Sequence, residues 1–485
     1  MGEKIPHWLD KQAFLNPEKT ALETPEGHVW TFSELQERSR QMAYDLKRMG
    51  VEEGDHIAFL SGNDIHFPVF IHAVSYIGAV VVLLNTRLTA PEISYQLQDA
   101  DVSRLFFAAS LTEKAYQAVE GTGVKAVECI NEPSVSREEG GLKKEIDFDA
   151  PYTMMYTSGT TGNPKAVIHT YGNHWYSAAA SALNLGLTPD DKWLICLPLF
   201  HVGGFSVLIK SVVYGMSVYL MDKFNQEQVH EAVMDKHVTH ASVVTVMLQH
   251  LVKRAGSSGY PDTFRCMLLG GGPVPNVLLK NCSQKGIPVF QTYGMTETSS
   301  QIATLSPASA FDKAGSAGKA LSLAQLWIDT PVPGEIGEII VQGPMVSKGY
   351  YNRPARQESY IHTGDLGYQD EDGFLYVVDR VKDMIISGGE NVYPAEIESV
   401  LSEIPGVKEA GVTGRPDDRW GEVPAAFLVA ENETIRNADI YRYIGDRLAK
   451  YKQPADIYWV QELPRNASNK LLRRKLFSLT EGGDQ

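Results

Sequence analysis

The chain has 485 residues, 43% of them hydrophobic, and a formal net charge of -15 at pH 7. This length exceeds one ordinary hydrophobic core, so we expect two or three domains, and the acidic balance argues against a general nucleic-acid binder. The sequence shows no apolar run long enough to span a bilayer, no signal-peptide core and no disulfide or zinc spacing among its cysteines. We therefore expect a cytoplasmic protein without nucleic-acid or membrane-spanning contacts.

The first part of the chain alternates between helix and strand patterns. Residues 31–50 (TFSELQERSRQMAYDLKRMG) have helical spacing, with a predicted cap at Ser33 and a stop at Gly50, and a buried-strand pattern (HIAFLSG) follows at 56–62. Such alternation predicts an α/β fold with a largely parallel sheet, whose ligands bind at the loops that follow the strands.

From residue 335 the pattern changes to short β runs, and after Arg380 to a smaller mixed region with helices near 394–403 and 437–449. We predict a large N-terminal domain of layered α/β subdomains plus a β-rich subdomain, followed by a small mobile α+β domain. The predicted boundaries are 1–379 for the N-terminal domain, 380–384 for a hinge and 385–485 for the C-terminal domain.

A segment rich in glycine and hydroxyl groups lies at 156–167 (YTSGTTGNPKAV). Its glycine spacing and the absence of a hydroxyl after Lys165 distinguish it from a Walker loop. The β-forming flanks predict a hairpin whose tip surrounds a phosphate with backbone N–H groups, aided by Lys165. A polar hairpin without a ligand is the alternative.

Two further motifs follow predicted strands. Residues 268–273 (LLGGGP) leave the backbone free of side chains, which suits a flat ring, although a tight turn is the alternative. Residues 291–298 (QTYGMTET) offer Thr296 to a phosphate and Glu297 to a cation, or form a helix cap.

Asp365 lies between glycines in HTGDLG, where its carboxylate can accept hydrogen bonds from both ribose hydroxyls or only close a turn.

The segment from Arg447 to Lys475 is basic. It contains eight Lys and Arg residues and only two acidic residues, Asp456 and Glu462. This segment is either a solvated surface or a domain that meets a polyphosphate ligand.

These motifs, together with GEIIVQGPMVSKGYYN, DRVKDMIISGGENVYPAEIE and LPRNASNKLLRR, resemble in order and spacing the adenylate-forming acyl-CoA synthetase superfamily. The resemblance implies two half-reactions. A carboxylate first attacks the α-phosphorus of ATP to give acyl-AMP and pyrophosphate, and the CoA thiol then displaces AMP. The implied cofactors and co-substrates are ATP, Mg2+ and CoA; the implied partner is a small carboxylic acid, and a homo-oligomer is left open.

The resemblance also assigns roles to individual residues. Lys165, Thr296, Glu297 and Lys470 would be catalytic, with Glu297 as the magnesium ligand and Lys470 bridging the attacking carboxylate and the phosphate. The implied ATP-binding residues are Thr157, Ser158, Gly159, Thr160, Thr161, Gly162, Lys165, Gly271, Gly272, Pro273, Gln291, Thr292, Tyr293, Gly294, Met295, Thr296, Asp365, Arg380 and Lys470. The implied hinge residue is Lys382, and the implied CoA-binding residues are Gly388, Gly389 and Glu390.

A narrower resemblance concerns the acid. YGNHWYSAAASALNLG, LPLFHVGGF, YGMTETSSQIATLSP and LPRNASNKLLRR are most similar to ligases that join CoA to 2-succinylbenzoate in menaquinone synthesis. That acid carries a second carboxylate, which requires a cation or donors in its pocket. The implied acyl-pocket residues are His201, Ser206, Lys210, Gly270, Gly294 and Ser300.

Several alternatives remain at this stage. The protein could be another aryl- or medium-chain acyl-CoA ligase, a carrier-protein adenylation domain or an inactive binding module. Lys210 could be a surface lysine that extends its stem over apolar residues, and His201 a core histidine.

Overall fold

The computed structural model describes residues 3–129, 140–157, 164–256, 259–271, 274–310, 312–354, 356–387, 390–431, 435–445, 447–465 and 470–480. The α-helices in these ranges are Trp8–Leu15, Phe32–Arg48, His66–Ile77, Ala90–Asp99, Thr112–Val119, Tyr171–Leu185, Val202–Tyr214, Gln226–Asp235, Thr245–Arg254, Asn276–Gln284, Pro394–Ser402 and Asn437–Gly445. Within these same ranges, no helix has both the length and the apolar character needed to cross a bilayer.

One sheet of the N-terminal region carries the predicted phosphate hairpin at its edge. From edge to edge its strands are Lys165–Thr170, Pro151–Thr157, Val80–Leu83, His56–Leu60, Arg104–Phe107 and Lys125–Glu128. The first two strands are antiparallel and all other neighbours are parallel. Buried side chains such as Val82 and Phe107 form a core with residues of Ala90–Asp99 and Thr112–Val119. The α/β prediction and the hairpin are both confirmed.

A second, longer sheet carries the motifs that follow strands. From edge to edge its strands are Lys319–Ala320, Ser300–Leu305, Val289–Met295, Cys266–Leu269, His240–Val243, Lys192–Ile195, Ser217–Leu220, Thr20–Glu23 and Val29–Thr31. Its central strands are parallel, and antiparallel strands lie only at its two edges. Because the carboxyl ends of parallel strands meet at one edge, the loops after Leu269 and Met295 lie side by side.

The remaining sheets are mostly antiparallel. The β-rich subdomain consists of Gln325–Asp329, Gly337–Gln342, Tyr360–Gln369 and Leu375–Arg380. The C-terminal sheet consists of Glu390–Val392, Ile385–Ser387, Gly421–Ala430 and Val407–Asp417, with Asp456–Trp459 parallel to Gly421–Ala430. A short pair, Lys4–Pro6 and Glu145–Asp147, lies apart. The helices Pro394–Ser402 and Asn437–Gly445 share a buried core with the C-terminal sheet.

The helix predicted to begin with a cap at Ser33 is capped by Thr31 instead. The Thr31 hydroxyl accepts from the Glu34 backbone N–H at 3.2 Å, and the Glu34 carboxylate accepts from the Thr31 N–H at 2.8 Å. A cap at Ser33 would use Gln36 for the reciprocal bond, but Gln36 donates to a carboxylate of the first helix.

Two other helix boundaries differ from the predictions. The sequence after His201 also predicts a helix from about Ser206, but this helix already begins at Val202. Of the helix predicted near 437–449, Asn437–Gly445 is helical and residues 447–449 are not. Element ends are set by local capping and packing, which hydrophobic spacing does not encode.

Candidate active site

The base of the phosphate hairpin is held against a third strand-like segment. Thr157 pairs with Lys165 across the hairpin, and the tip residues Ser158, Gly159, Thr160, Thr161 and Gly162 lie outside the described residues. The Ile168 N–H donates to the Gly349 carbonyl at 3.1 Å, which brings Tyr350 beside the hairpin. The Lys165 ammonium then lies 5.4 Å from the centre of the Tyr350 ring.

Glu297 is the magnesium ligand that the superfamily resemblance implies. Its side chain is buried, and Oε1 accepts a 2.8 Å hydrogen bond from the Tyr350 hydroxyl. Among the described residues, none donates a hydrogen bond to Oε2, and none forms a cluster of three or more His, Cys, Asp or Glu that could hold a metal. A carboxylate with one oxygen that no described residue bonds fits Mg2+, which is usually held by one or two carboxylates and the phosphates of its substrate.

Thr296 opens a short turn whose following residues are strained and which is held by contacts with its neighbours. The turn Thr296–Thr298 follows the strand Val289–Met295, and the Thr296 carbonyl accepts a 2.7 Å hydrogen bond from His169. Ser299 and Ser300 then adopt positive φ angles of 56° and 134°. Non-glycine residues rarely adopt such angles. The exceptions cluster at functional sites, where surrounding contacts hold the backbone in a strained conformation.

Gly294 is required by a close approach of two strands. A Cβ at this position would lie 2.0 Å from the Ser300 carbonyl oxygen, at a bulge between Tyr293 and Gly294. A larger residue would therefore push Ser300, and the turn before it, out of place.

The predicted adenine-binding segment is partly described. Gly270 follows the strand Cys266–Leu269 and faces the methyl group of Thr292, while Gly271 has a φ of +93°. Gln291 is buried in the adjacent strand, and its Nε2 makes no hydrogen bond within the described residues. Met295 ends that strand, whereas Gly272 and Pro273 lie outside the described residues.

The predicted ribose ligand is already surrounded by partners. Asp365 pairs with Arg380 across two strands, and its Oδ1 lies 2.5 Å from the Arg380 Nε. Its Oδ2 accepts a 2.7 Å hydrogen bond from the Tyr293 hydroxyl. Burial and the Asp365 charge raise the pKa of Tyr293 well above its usual value, so this phenol remains a donor.

Lys470 reaches this cluster from the C-terminal region. Leu471, the residue after this lysine, pairs with Arg465 in an isolated antiparallel bridge. The Lys470 residue is exposed, but the protein packed around its ammonium removes part of the surrounding water. This burial of the charged group lowers the pKa of Lys470 from 10.5 to about 8, and the charge of Arg380 lowers it further. Asp365 opposes this shift. Lys470 is thus close enough to Arg380 and Asp365 for their charges to change its pKa.

The predicted hinge is crossed by an ion network. Arg473 donates to both carboxylate oxygens of Glu398, at 3.1 and 2.7 Å, and to Asp383 at 3.1 Å. Lys382 lies between Arg380 and Asp383, where burial lowers its pKa. Salt bridges also join Arg465 to Glu409 and Lys452 to Glu396. Part of the basic 447–475 segment is therefore already paired within the protein.

The CoA-binding prediction is only partly described. Glu390 is exposed at the start of the strand Glu390–Val392, and Gly388 and Gly389 lie outside the described residues.

The acyl-pocket prediction places three side chains on or before one helix. His201 immediately precedes Val202–Tyr214, and burial, with the nearby charge of Arg87, lowers its pKa to about 4. The imidazole is therefore neutral at pH 7. Ser206 is buried one turn into the helix.

Lys210 is buried, not a surface lysine. It is 1% exposed, and its ammonium lies 4.3 Å from the centre of the Trp193 ring. Burial lowers its pKa to about 8, and no hydrogen bond or ion pair to this ammonium is formed by the described residues. A buried ammonium without an anion is costly, so the site favours an anionic ligand.

Sequence reasoning missed two side chains of this cluster. Tyr350 lies in the quoted motif GEIIVQGPMVSKGYYN, but nothing in that motif indicated a bond to Glu297. His169 reads as one more residue of a β-strand, and its contact with Thr296 spans 127 positions of the chain.

Most of the chain matches the models of one protein family. A family model described as AMP-binding enzyme matches residues 9–351, and one described as AMP-binding enzyme C-terminal domain matches residues 396–470. The chain belongs to the AMP-binding enzyme family. The superfamily resemblance is confirmed, and the protein is an AMP-forming ligase of the adenylate-forming type.

Relatives of this family member share most of its length. A 2-succinylbenzoate–CoA ligase of Oceanobacillus iheyensis is 53% identical over 485 residues, which cover 98% of this chain and 100% of the relative. Among solved structures, o-succinylbenzoate CoA synthetase of Bacillus subtilis with the acyl-adenylate OSB-AMP has a TM-score of 0.93 at 45% identity, covering 98% of each chain. Its complex with ATP and magnesium ion has a TM-score of 0.92 at 45% identity, covering 98% of this chain and 100% of that one.

Another structure of the same Bacillus subtilis enzyme is less similar to the present structure. A double mutant bound with the product analogue OSB-NCoA has a TM-score of 0.76 at 44% identity, covering 98% of this chain and 99% of that one. Because identity and coverage barely change, the lower score reflects a different arrangement of the chain. The present structure therefore has the arrangement of the adenylate and ATP complexes, in agreement with Lys470 near Asp365.

Proposed function

We propose that this chain converts 2-succinylbenzoate, ATP and CoA into 2-succinylbenzoyl-CoA, AMP and pyrophosphate, a step of menaquinone biosynthesis. The observation that carries the proposal is the convergence of Lys165, Glu297, Asp365 and Lys470, which come from three different sheets and the C-terminal region. The names of relatives that match over the full length support the choice of acid.

The first half-reaction brings a carboxylate to a polyanion, so its barrier falls mainly through charge neutralisation and alignment. Lys165 would hold the phosphates that leave as pyrophosphate, and Asp365 with Arg380 the ribose. Glu297 would hold Mg2+, which when bound neutralises phosphate charge. Lys470 would lie between the acid and the α-phosphate, where its ammonium stabilises negative charge in the transition state.

The second half-reaction requires a different surface of the C-terminal region. We propose a domain boundary with residues 1–379 on one side, a hinge at 380–384 and residues 385–485 on the other. Rotation about Lys382 would withdraw Lys470 and bring the loop around Gly388 and Glu390 to the site for CoA. The ion pairs of Arg473 with Asp379, at 3.6 Å, and with Asp383 in the hinge would hold the adenylating arrangement until then.

Lys210 supports an acid that carries a second carboxylate. Its Cα lies about one helical turn, roughly 6 Å along the axis, beyond that of Ser206 in the helix that His201 precedes. We propose that its ammonium meets the ring carboxylate directly or through a water. A fatty acyl chain would leave this charge buried without an anion.

The test is a reaction with Mg2+, ATP, CoA and 2-succinylbenzoate. Release of AMP and pyrophosphate with thioester formation is expected, whereas ADP and phosphate would reject the adenylate mechanism. A higher kcat/KM for benzoate or decanoate would assign the chain to another acyl-CoA ligase class. Faster transfer to a phosphopantetheine carrier protein than to CoA would identify a carrier-type adenylation domain. We place the reaction in the cytoplasm, where its substrates ATP and CoA occur.

A further inference from the structure

A line of hydrogen bonds between buried side chains runs from the helix Tyr171–Leu185 to Thr296. His174 Nε2 lies 2.9 Å from Thr153 Oγ1, which lies 3.2 Å from His169 Nδ1. His169 Nε2 lies 2.7 Å from the Thr296 carbonyl oxygen. None of the three side chains is more than 2% exposed. The steps proposed above use none of them.

The chemistry of the partners assigns a direction to each bond. Burial lowers the pKa of His169 to about 4 and, together with the neighbouring His169, lowers that of His174 well below 6.5. Both imidazoles are therefore neutral at pH 7 and carry one N–H each. A carbonyl only accepts, so His169 Nε2 donates to Thr296. Its Nδ1 then accepts from the Thr153 hydroxyl, whose oxygen accepts from His174 Nε2–H.

The position of His169 gives this line a consequence for the site. Thr153 and His169 belong to the two strands of the phosphate hairpin, which lie at the edge of one sheet. Thr296 follows a strand of the other large sheet and precedes Glu297. His169 is thus a side-chain link between the element that would bind the leaving phosphates and the turn that would bind the α-phosphate.

The turn also needs such a link because its own backbone is strained. Ser299 and Ser300 have φ angles of 56° and 134°, which relaxed serine residues rarely adopt. Strained conformations persist only when surrounding contacts fix them. Two further buried bonds act on the same turn: Ser177 donates to the Ser299 carbonyl at 3.0 Å, and Ser299 donates to the Met345 carbonyl at 2.9 Å. The Thr296 carbonyl accepts from the Ser299 N–H at 3.0 Å within the turn, and His169 is the side chain of the hairpin that bonds it.

We propose that His169, oriented by Thr153 and His174, is a positioning residue for adenylation that fixes the distance between the phosphate hairpin and the Thr296–Glu297 turn. This inference rests on the proposed function. It concerns alignment of the triphosphate, so it applies to the half-reaction in which pyrophosphate leaves. Once pyrophosphate has left, the hairpin no longer holds a reacting group, and thioester formation does not depend on this distance.

The test compares His169→Gln with His169→Asn. The glutamine amide nitrogen reaches about as far as Nε2 and can still donate to the Thr296 carbonyl, whereas the asparagine amide ends near the position of Nδ1. ATP–pyrophosphate exchange should fall about tenfold in kcat for His169→Asn and about twofold for His169→Gln, with the KM for 2-succinylbenzoate unchanged. Conversion of preformed acyl-AMP and CoA to thioester should remain at the wild-type rate in both.

A second pair keeps the test informative if a histidine variant folds poorly. Thr153→Val removes the hydroxyl that donates to His169 Nδ1 and orients the ring, and Thr153→Ser retains it. The valine variant should slow only the exchange reaction, and the serine variant should match wild type. Equal exchange rates for the two variants of each pair overturn the positioning role. Equal losses of rate in both half-reactions, in proportion to a lowered Tm, also overturn it. A wild type that shows no exchange with 2-succinylbenzoate rejects the proposed function instead.

Discussion

The hydroxyl of Tyr350 donates a 2.8 Å hydrogen bond to Oε1 of Glu297. The same phenol ring lies 5.4 Å from the ammonium of Lys165. One tyrosine therefore contacts both the proposed magnesium ligand and the proposed phosphate-binding lysine. It keeps Glu297 oriented while leaving Oε2 without a hydrogen bond from the described residues.

Tyr350→Phe should weaken the response to Mg2+. The change removes the bond to Glu297 but keeps the ring beside Lys165. A hydrogen bond to a charged group contributes about 1.5–3 kcal/mol, so the Mg2+ concentration for half-maximal exchange should rise about tenfold or more. Tyr351→Phe is the matched control, because its hydroxyl bonds Asp101 outside the site. An unchanged Mg2+ dependence in Tyr350→Phe would contradict the role given to this bond.

Substitutions of Lys470 and of Lys382 should slow different half-reactions. Lys470→Ala should slow acyl-AMP formation by about a hundredfold or more, because it removes a charge aligned with the transition state. The same variant should still convert preformed acyl-AMP and CoA to thioester. Lys382→Pro should show the reverse pattern, because proline fixes φ at the proposed hinge. Single-turnover assays of each half-reaction measure both, and equal losses in both steps for both variants would reject a rotating domain.

The pKa of Lys470 predicts an alkaline limit for adenylation. Its lowered pKa of about 8 means that the free enzyme loses the ammonium as the pH rises through that value. The kcat/KM for ATP in the exchange reaction should therefore fall above about pH 8, because this parameter reports ionisations of the free enzyme. Lys470→Arg should be slower but should lack this limb, since a guanidinium stays charged. A wild-type profile that is flat to pH 10 would mean that the ammonium is not required.

Lys210→Met should reduce selectivity for the second carboxylate. Methionine keeps most of the buried volume and removes the charge. If the ammonium bonds the ring carboxylate with about 1.5–3 kcal/mol, kcat/KM for 2-succinylbenzoate should fall by roughly ten- to a hundredfold. For 4-oxo-4-phenylbutanoate, which lacks the ring carboxylate, the change should be small. Equal losses for both acids would show that Lys210 has a structural role and that the carboxylate is held elsewhere.

Several features were predictable from sequence because they depend on local pattern. Alternating strands and helices indicated the α/β fold, and β-forming residues on both sides of 158–163 indicated a hairpin. The motifs around Glu297, Asp365 and Lys470 indicated the reaction, since a short segment with fixed residue types can match a family without knowledge of its neighbours. The cap at Ser33 was wrong because Thr31, paired with Glu34, caps the helix two residues earlier.

Tertiary structure decided which side chains meet. Burial of Lys210 against Trp193 could not be predicted, because a lysine at a helix position is compatible with either solvent or core. The bonds of Tyr350 to Glu297 and of His169 to Thr296 join residues separated by 53 and 127 positions, and no local pattern encodes such pairs. The sequence by itself determined the elements and the chemistry that its motifs can perform. The lowered pKa values of Lys210 and Lys470 and the strained turn after Glu297 arise only from packing, because desolvation depends on every atom that the fold brings near.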